Sequence, residues 1–207
     1  MKVMLLICFS LSFVHCATVA QSDDAPIEKT TAELPYKEIP AYPEKLTAGT
    51  SIGRILDGLG YRYYWATEGL TENELNYEPG NEGRPAKDVL QHLYGLSLMI
   101  LQTAKGEPNI RPLPPMEMTW SEKRAATLRN IQTASTIFKN STEEEIAKFD
   151  IIFQRGEERN SVPVWHLFNG PIDDAIYHVG QIVAFRRSAG NPMNPFVNVF
   201  MGKTKGE

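Results

Sequence analysis

Apolar positions return at steps of three and four through four separate stretches of the chain, the spacing of helices with one buried face. In the first, residues 50–69, the stripe is Ile52, Ile55, Leu56, Leu59, Tyr63 and Ala66. Gly53, Gly58 and Gly60 interrupt it at a cost of up to about 1 kcal/mol each relative to Ala, so packing must hold this helix. The second stretch opens at Pro85, a residue suited to a first helical turn, and runs to Lys105 before Gly106 and Pro108. Its stripe is Val89, Leu93, Leu96 and Ile100, with Leu90, Leu101 and Ala104 alongside. The third, residues 121–140, carries Ala125, Leu128, Ile131, Thr136 and Ile137, with Ser121 as its cap. The fourth, residues 164–189, reads as one continuous helix ended by Gly190-Asn191-Pro192. Four long amphipathic helices with little strand pattern predict an all-α, up-and-down four-helix bundle over residues 46–195, with a C-terminal tail at 196–207.

The connections are less regular. Residues 70–85 hold Pro79-Gly80 and Gly83 and read as a loop; residues 108–115 are Pro-rich. Thr142 with Glu145 forms a capping-box pattern for a short helix over 142–148. Residues 148–164 stay ambiguous, with a brief strand at 150–153 and a turn at 156–160 as one reading.

The N-terminal pattern differs in kind. Lys2 precedes an almost unbroken apolar run, residues 3–14, followed by Ala17-Thr18-Val19-Ala20 and then Gln21-Ser22-Asp23-Asp24. A charged start, an apolar middle and a small-x-small exit describe a signal peptide over residues 1–20. The run is too short for a transmembrane helix, which needs about 20 residues. The chain is therefore expected to be exported, periplasmic or secreted. A lipid anchor on Cys16 is the rival reading, weakened because His15 stands where such leaders carry a small residue. Residues 21–45, punctuated by Pro26, Pro35, Pro40 and Pro43, read as an extended arm.

Composition narrows the chemistry. Both cysteines, Cys8 and Cys16, fall inside the leader, so the mature chain has no disulfide and no thiolate ligand or nucleophile. Its net charge of about −5 once Lys2 is removed, without a basic block, argues against a nucleic-acid partner. A small-molecule substrate or ligand is the expected partner, and a homodimer is left open.

Three histidines remain after the leader: His92, His166 and His178. Asp174 and His178 are four residues apart on the last helix, so both project from one face about 6 Å apart and can chelate one ion. His92 lies in an apolar stretch of the second helix, where a polar side chain facing the core must find partners. A divalent ion shared by His92, Asp174 and His178 satisfies all three, and two imidazoles with one carboxylate suit Zn, Ni, Fe(II) or Mn. The rival is a metal-free core histidine bonded to a neighbour. His166 precedes Asp174 by about 12 Å along a continuous helix and joins the site only if Gly170-Pro171 folds the chain back. Gln181 shares the face of His178 and is placed to hydrogen-bond a ligand side chain. Arg186 and Arg187 suit the negative end of the last helix, with an anionic substrate as the alternative. Tyr61, Tyr63, Tyr64 and Trp65 read as core and pocket wall.

Three stretches carry a resemblance to a known family: Leu70-Thr71-Glu72-Asn73-Glu74-Leu75-Asn76-Tyr77 leading to Pro79, Ala86 to Leu93 ending on His92, and Asp174-Ala175-Ile176-Tyr177-His178-Val179-Gly180-Gln181-Ile182. Over residues 48–192 the chain resembles the DinB-like superfamily of metal-binding four-helix bundles. The resemblance implies a divalent ion held by three histidines, the first falling on His92 and the last on His178. At the middle position this chain has Asp174, a harder donor, which puts the preferred metal in question. Several members of the superfamily resemble thiol-dependent transferases. By that analogy the chain is a metal-dependent transferase or hydrolase acting on a small molecule in the cell envelope. The alternative is a non-catalytic metal- or ligand-binding module with a structural metal.

Overall fold

The computed structural model describes residues 33–80, 82–113 and 117–205. The expected leader and residues 21–32 of the arm lie outside the described residues, as do the last two residues of the tail. The chain is mostly helical. Its helices are α1 (Ala48–Thr67), α2 (Glu72–Leu75), α3 (Ala86–Lys105), α4 (Trp120–Asn140), α5 (Glu143–Ile146), α6 (Trp165–Leu167) and α7 (Asp173–Ser188). Five short strands accompany them: β1 (Asn109–Ile110), β2 (Asp150–Arg155), β3 (Glu158–Pro163), β4 (Val197–Asn198) and β5 (Lys203–Thr204).

Local chemistry explains most helix ends. Thr47 caps α1 reciprocally with Thr50, its hydroxyl accepting from the Thr50 amide while Thr50 Oγ1 accepts from Thr47 N. Gly106 closes α3 in the left-handed region at φ 66°, where a residue without Cβ is unstrained. The cap of α4 is Thr119 paired with Glu122, two residues before the expected Ser121, which lies inside the helix. The same device, Thr71 with Glu74, nucleates α2 inside the stretch that reads as a loop.

The four long helices bury the stripes the pattern marked. α1 packs along α4, α3 packs on α4, and α7 lies against both α1 and α3. Leu56, Leu59, Val89, Ile100, Leu128, Ile131 and Ile182 meet in one core. Three stripe positions fall outside it: Ile55 and Thr136 are exposed and Ala125 is half-buried, while Ala134, Ser135 and Phe138 take buried positions on α4.

The chain departs from an all-α expectation at residues 109–163. β2 and β3 form an antiparallel hairpin, Arg155 opposite Glu158, around Gly156 at φ 60°. β1 adds to β2 in parallel, Asn109 opposite Phe153. Residues 150–154 are rich in β-branched and aromatic side chains, which suits a half-buried pleated surface better than a helix.

The last helix is also not continuous. α6 gives way to a wide π turn at Phe168–Ile172, and Gly170 there takes a non-helical conformation (φ −98°, ψ −107°) beside Pro171. Pro171 has no amide hydrogen to donate, so the helix restarts as α7 at Asp173.

The described part of the arm is extended but docked rather than free. Tyr36 is buried; its hydroxyl donates to Asp57 Oδ1 at 3.1 Å and its ring lies against Gly60, where a Cβ would collide with it. Burial and the neighbouring Asp57 carboxylate hold the Tyr36 hydroxyl well above the usual phenol range. Asp57 also accepts from Ser135 Oγ at 2.6 Å and pairs with Lys139, so α1, α4 and the arm share one buried carboxylate. Trp65 Nε1 donates to the Lys37 carbonyl and Ile39 N to the Gly202 carbonyl, which joins the arm to the β4–β5 hairpin. The glycines of α1 thus serve close approach: the helix is covered by α4 on one side and by the arm on another.

Candidate metal centre

α3 and α7 lie side by side, and this brings residue 92 to residues 174 and 178. His92 Nε2 is 2.9 Å from Asp174 Oδ2, and His178 Nε2 is 3.2 Å from Asp174 Oδ1. The two imidazole rings meet edge to face with centroids 4.7 Å apart. One donor atom from each of His92, Asp174 and His178 falls within 4.8 Å of the others, a spacing that can hold a metal ion. Among the described residues no further His, Asp, Glu or Cys joins this group.

The donor set fits a divalent cation. The carboxylate places one oxygen near each imidazole, so the three side chains form one contiguous group. The far side of His178 is fixed as well: its Nδ1 donates to Gln181 Oε1 at 2.7 Å. In a neutral ring that bond places the proton on Nδ1, the tautomer whose Nε2 would be free to bind an ion. Exposure is uneven. His178 is 11% exposed at its side chain, whereas His92 and Asp174 are 37% and 40% exposed. The group is therefore anchored on α7 and open towards solvent on its His92–Asp174 side.

His166 is exposed and stands outside the group, although the chain does break at Gly170. Arg186 is not placed to greet an anion. It is buried, donating to the carbonyls of Trp65, Ala66 and Asn191, and so caps the end of α1. Burial lowers its affinity for its proton. Tyr61, Tyr63 and Trp65 are core, with the Tyr63 hydroxyl pushed up to about 12 by burial. One neighbour escaped the sequence reading: the exposed Tyr177 ring packs edge-on against His178 at 5.4 Å. Adjacent helical positions do not normally face each other, so periodicity gave no reason to pair them.

Comparison with known proteins bears on the family and the fold. The model of the DinB family matches residues 62–202. The crystal structure of a DinB-like protein from Bacillus subtilis superposes with a TM-score of 0.53 at 15% identity, covering 70% of this chain and 96% of that one. At that identity the likeness speaks for the fold alone. No curated protein matches.

Proposed function

The chain belongs to the DinB family, and from that premise we propose that it is a metal-dependent enzyme acting on a small molecule, a transferase or hydrolase. In this reading the four long helices form the family's up-and-down bundle, and His92, Asp174 and His178 hold one divalent ion between two of them. The observation that supports it is the one-sided exposure of the group. A structural ion is enclosed by four protein ligands, whereas a catalytic one keeps open positions. Here three donors converge and the His92–Asp174 side remains accessible.

A bound divalent ion supplies a Lewis acid that lowers the pKa of a coordinated water or thiol toward neutrality. The chain's own residues do the rest. Gln181 orients His178, Asp174 neutralises part of the ion's charge, and Tyr177 flanks the site with an exposed aromatic edge. Replacing one imidazole of the family's donor set by a carboxylate makes the set harder, which narrows the advantage of Zn and Ni over Mn and Fe(II). The leader-like sequence of residues 1–20 supports a site of action in the cell envelope, where small thiols are scarce, and that reading favours hydrolysis over thiol transfer.

The test is reconstitution. Chelator-stripped protein is supplied with Mn, Fe(II), Ni or Zn and assayed on small esters and amides, and on a thiol with an electrophile. Turnover that needs the metal and disappears in His92→Ala supports the reading. Stoichiometric metal with no turnover, together with loss of stability on stripping, points to a structural ion.

A further inference from the structure

The β4–β5 hairpin carries three consecutive apolar residues at its turn. Val199, Phe200 and Met201 are 42%, 92% and 52% exposed, and Phe196 beside them is 61% exposed. Scattered apolar residues are ordinary on a protein surface, but a contiguous group at a protruding turn is a contact surface. The backbone of this turn is prepared to leave water. The amides of Phe200 and Met201 both donate to Asn198 Oδ1 at 3.1 Å, and the Gly202 amide donates to the Asn198 carbonyl at 2.8 Å. Three successive N–H groups are thereby satisfied within the turn, which removes the main cost of entering an apolar phase. The Gly202 carbonyl accepts from Ile39 N, so the base of the turn is fixed to the arm.

The charged side chains that follow the turn and line its two hollows are cationic. Exposed Lys203 and Lys205 follow the turn. Lys205 lines the hollow formed with Phe196 and Phe200, and Arg62 lines the one formed with Val197 and Val199. Among the described residues lining these two hollows there is no acidic side chain, although the whole chain has a net charge of −4. An apolar tip with a cationic collar matches the acyl region and the headgroups of an anionic bilayer.

We propose that this hairpin docks the protein onto the surface of an anionic membrane, with Val199, Phe200 and Met201 inserted and Lys203, Lys205 and Arg62 held at the headgroups. This does not depend on the metal centre or on the leader.

The test is flotation of the purified protein, in the form the cell accumulates, with phosphatidylglycerol-containing vesicles and with pure phosphatidylcholine vesicles. Binding is expected to the first and not to the second, and to weaken as salt rises. Phe200→Ser is expected to lower partitioning about tenfold, because Phe contributes apolar area to the inserted tip. Lys203→Gln and Lys205→Gln are each expected to lower it about fivefold. All three side chains are exposed, so unchanged circular dichroism is expected in every variant. Absence of binding by the wild type, or equal binding by wild type and variants, overturns the proposal. So does a dimer in sedimentation that Phe200→Ser dissolves without vesicle binding, since the surface then belongs to a second copy.

Discussion

His92 Nε2 lies 2.9 Å from Asp174 Oδ2 across 82 residues of chain, and this contact is what closes α3 against the chemistry of α7. The carboxylate serves two imidazoles at once, so its replacement separates a ligand role from a packing role. Asp174→Ala is expected to lower metal affinity at least about tenfold, judged from the effect of losing even indirect partners of a metal. Asp174→His restores the three-imidazole set of the family and is expected to keep the metal while shifting preference from Mn towards Zn. Competitive chelator titration of both variants checks this. An Asp174→His variant as metal-poor as Asp174→Ala would count against the assignment.

Gln181 acts only through His178. Its Oε1 accepts from His178 Nδ1 at 2.7 Å, which orients the ring and fixes the tautomer. Gln181→Leu is expected to weaken metal affinity about 10–100-fold with helix content unchanged. Isothermal titration with Mn and Zn, beside circular dichroism, measures both quantities. An unaltered affinity would show that the bond to Gln181 does not matter to the site.

The legible part of this fold was the periodic part. The stripes over 50–69, 85–105 and 121–140 became α1, α3 and α4 because each buries one face against the others. Local chemistry with weak periodicity was harder to read. Thr71 with Glu74 makes a capping box for α2, and Glu74 also accepts from Asn191 in the loop after α7, a contact that local sequence does not reveal. Proline and glycine at 170–171 signalled a break, yet the apolar pattern on either side continued across it and outweighed the signal. The arm looked too polar and proline-rich to pack, yet the buried Tyr36 ring and backbone bonds at Lys37 and Ile39 dock it through contacts distant in sequence. At the site, helical spacing grouped Asp174 with His178, and His92 was added as a core-facing histidine in need of partners; the three do lie together, but the His92 side chain is 37% exposed rather than turned into the core. Tyr177 was not, since no periodicity links it to His178.

Glu74 gives the fold a predictable acid response. Its carboxylate accepts from Asn191 Nδ2 at 3.0 Å, from the Thr71 amide and hydroxyl, and from Asn73. These bonds, that of Asn191 foremost, hold it down at about 2 from an ordinary 4.5. A carboxyl depressed by folding stabilises fully above its unfolded pKa and loses that contribution as pH falls through the folded one. Stability is therefore expected to decline from about pH 4.5 towards pH 2. Glu74→Gln is expected to cost about 1–3 kcal/mol at pH 7 and to flatten that decline. Urea unfolding of both proteins at pH 7 and pH 3 measures it; parallel pH profiles would contradict this role.

Gly60 tests the docking of the arm. Alanine there gains about 1 kcal/mol of helix propensity but drives a methyl group into the buried Tyr36 ring. Overpacking against a rigid ring costs about 1–3 kcal/mol, so Gly60→Ala is expected to be neutral to destabilising. Tryptic cleavage at Lys37 is expected to accelerate as the arm detaches. A more stable variant with unchanged cleavage would mean that the ring has room to move.

The account stands on one ion shared by α3 and α7, and metal content measures that directly. Elemental analysis of protein purified without chelators is to be run on the wild type beside His92→Ala and Asp174→Ala. The expected result is close to one divalent ion per wild-type chain and a small fraction of that in each variant, with all three folded. The same sub-stoichiometric metal in all three proteins would contradict it.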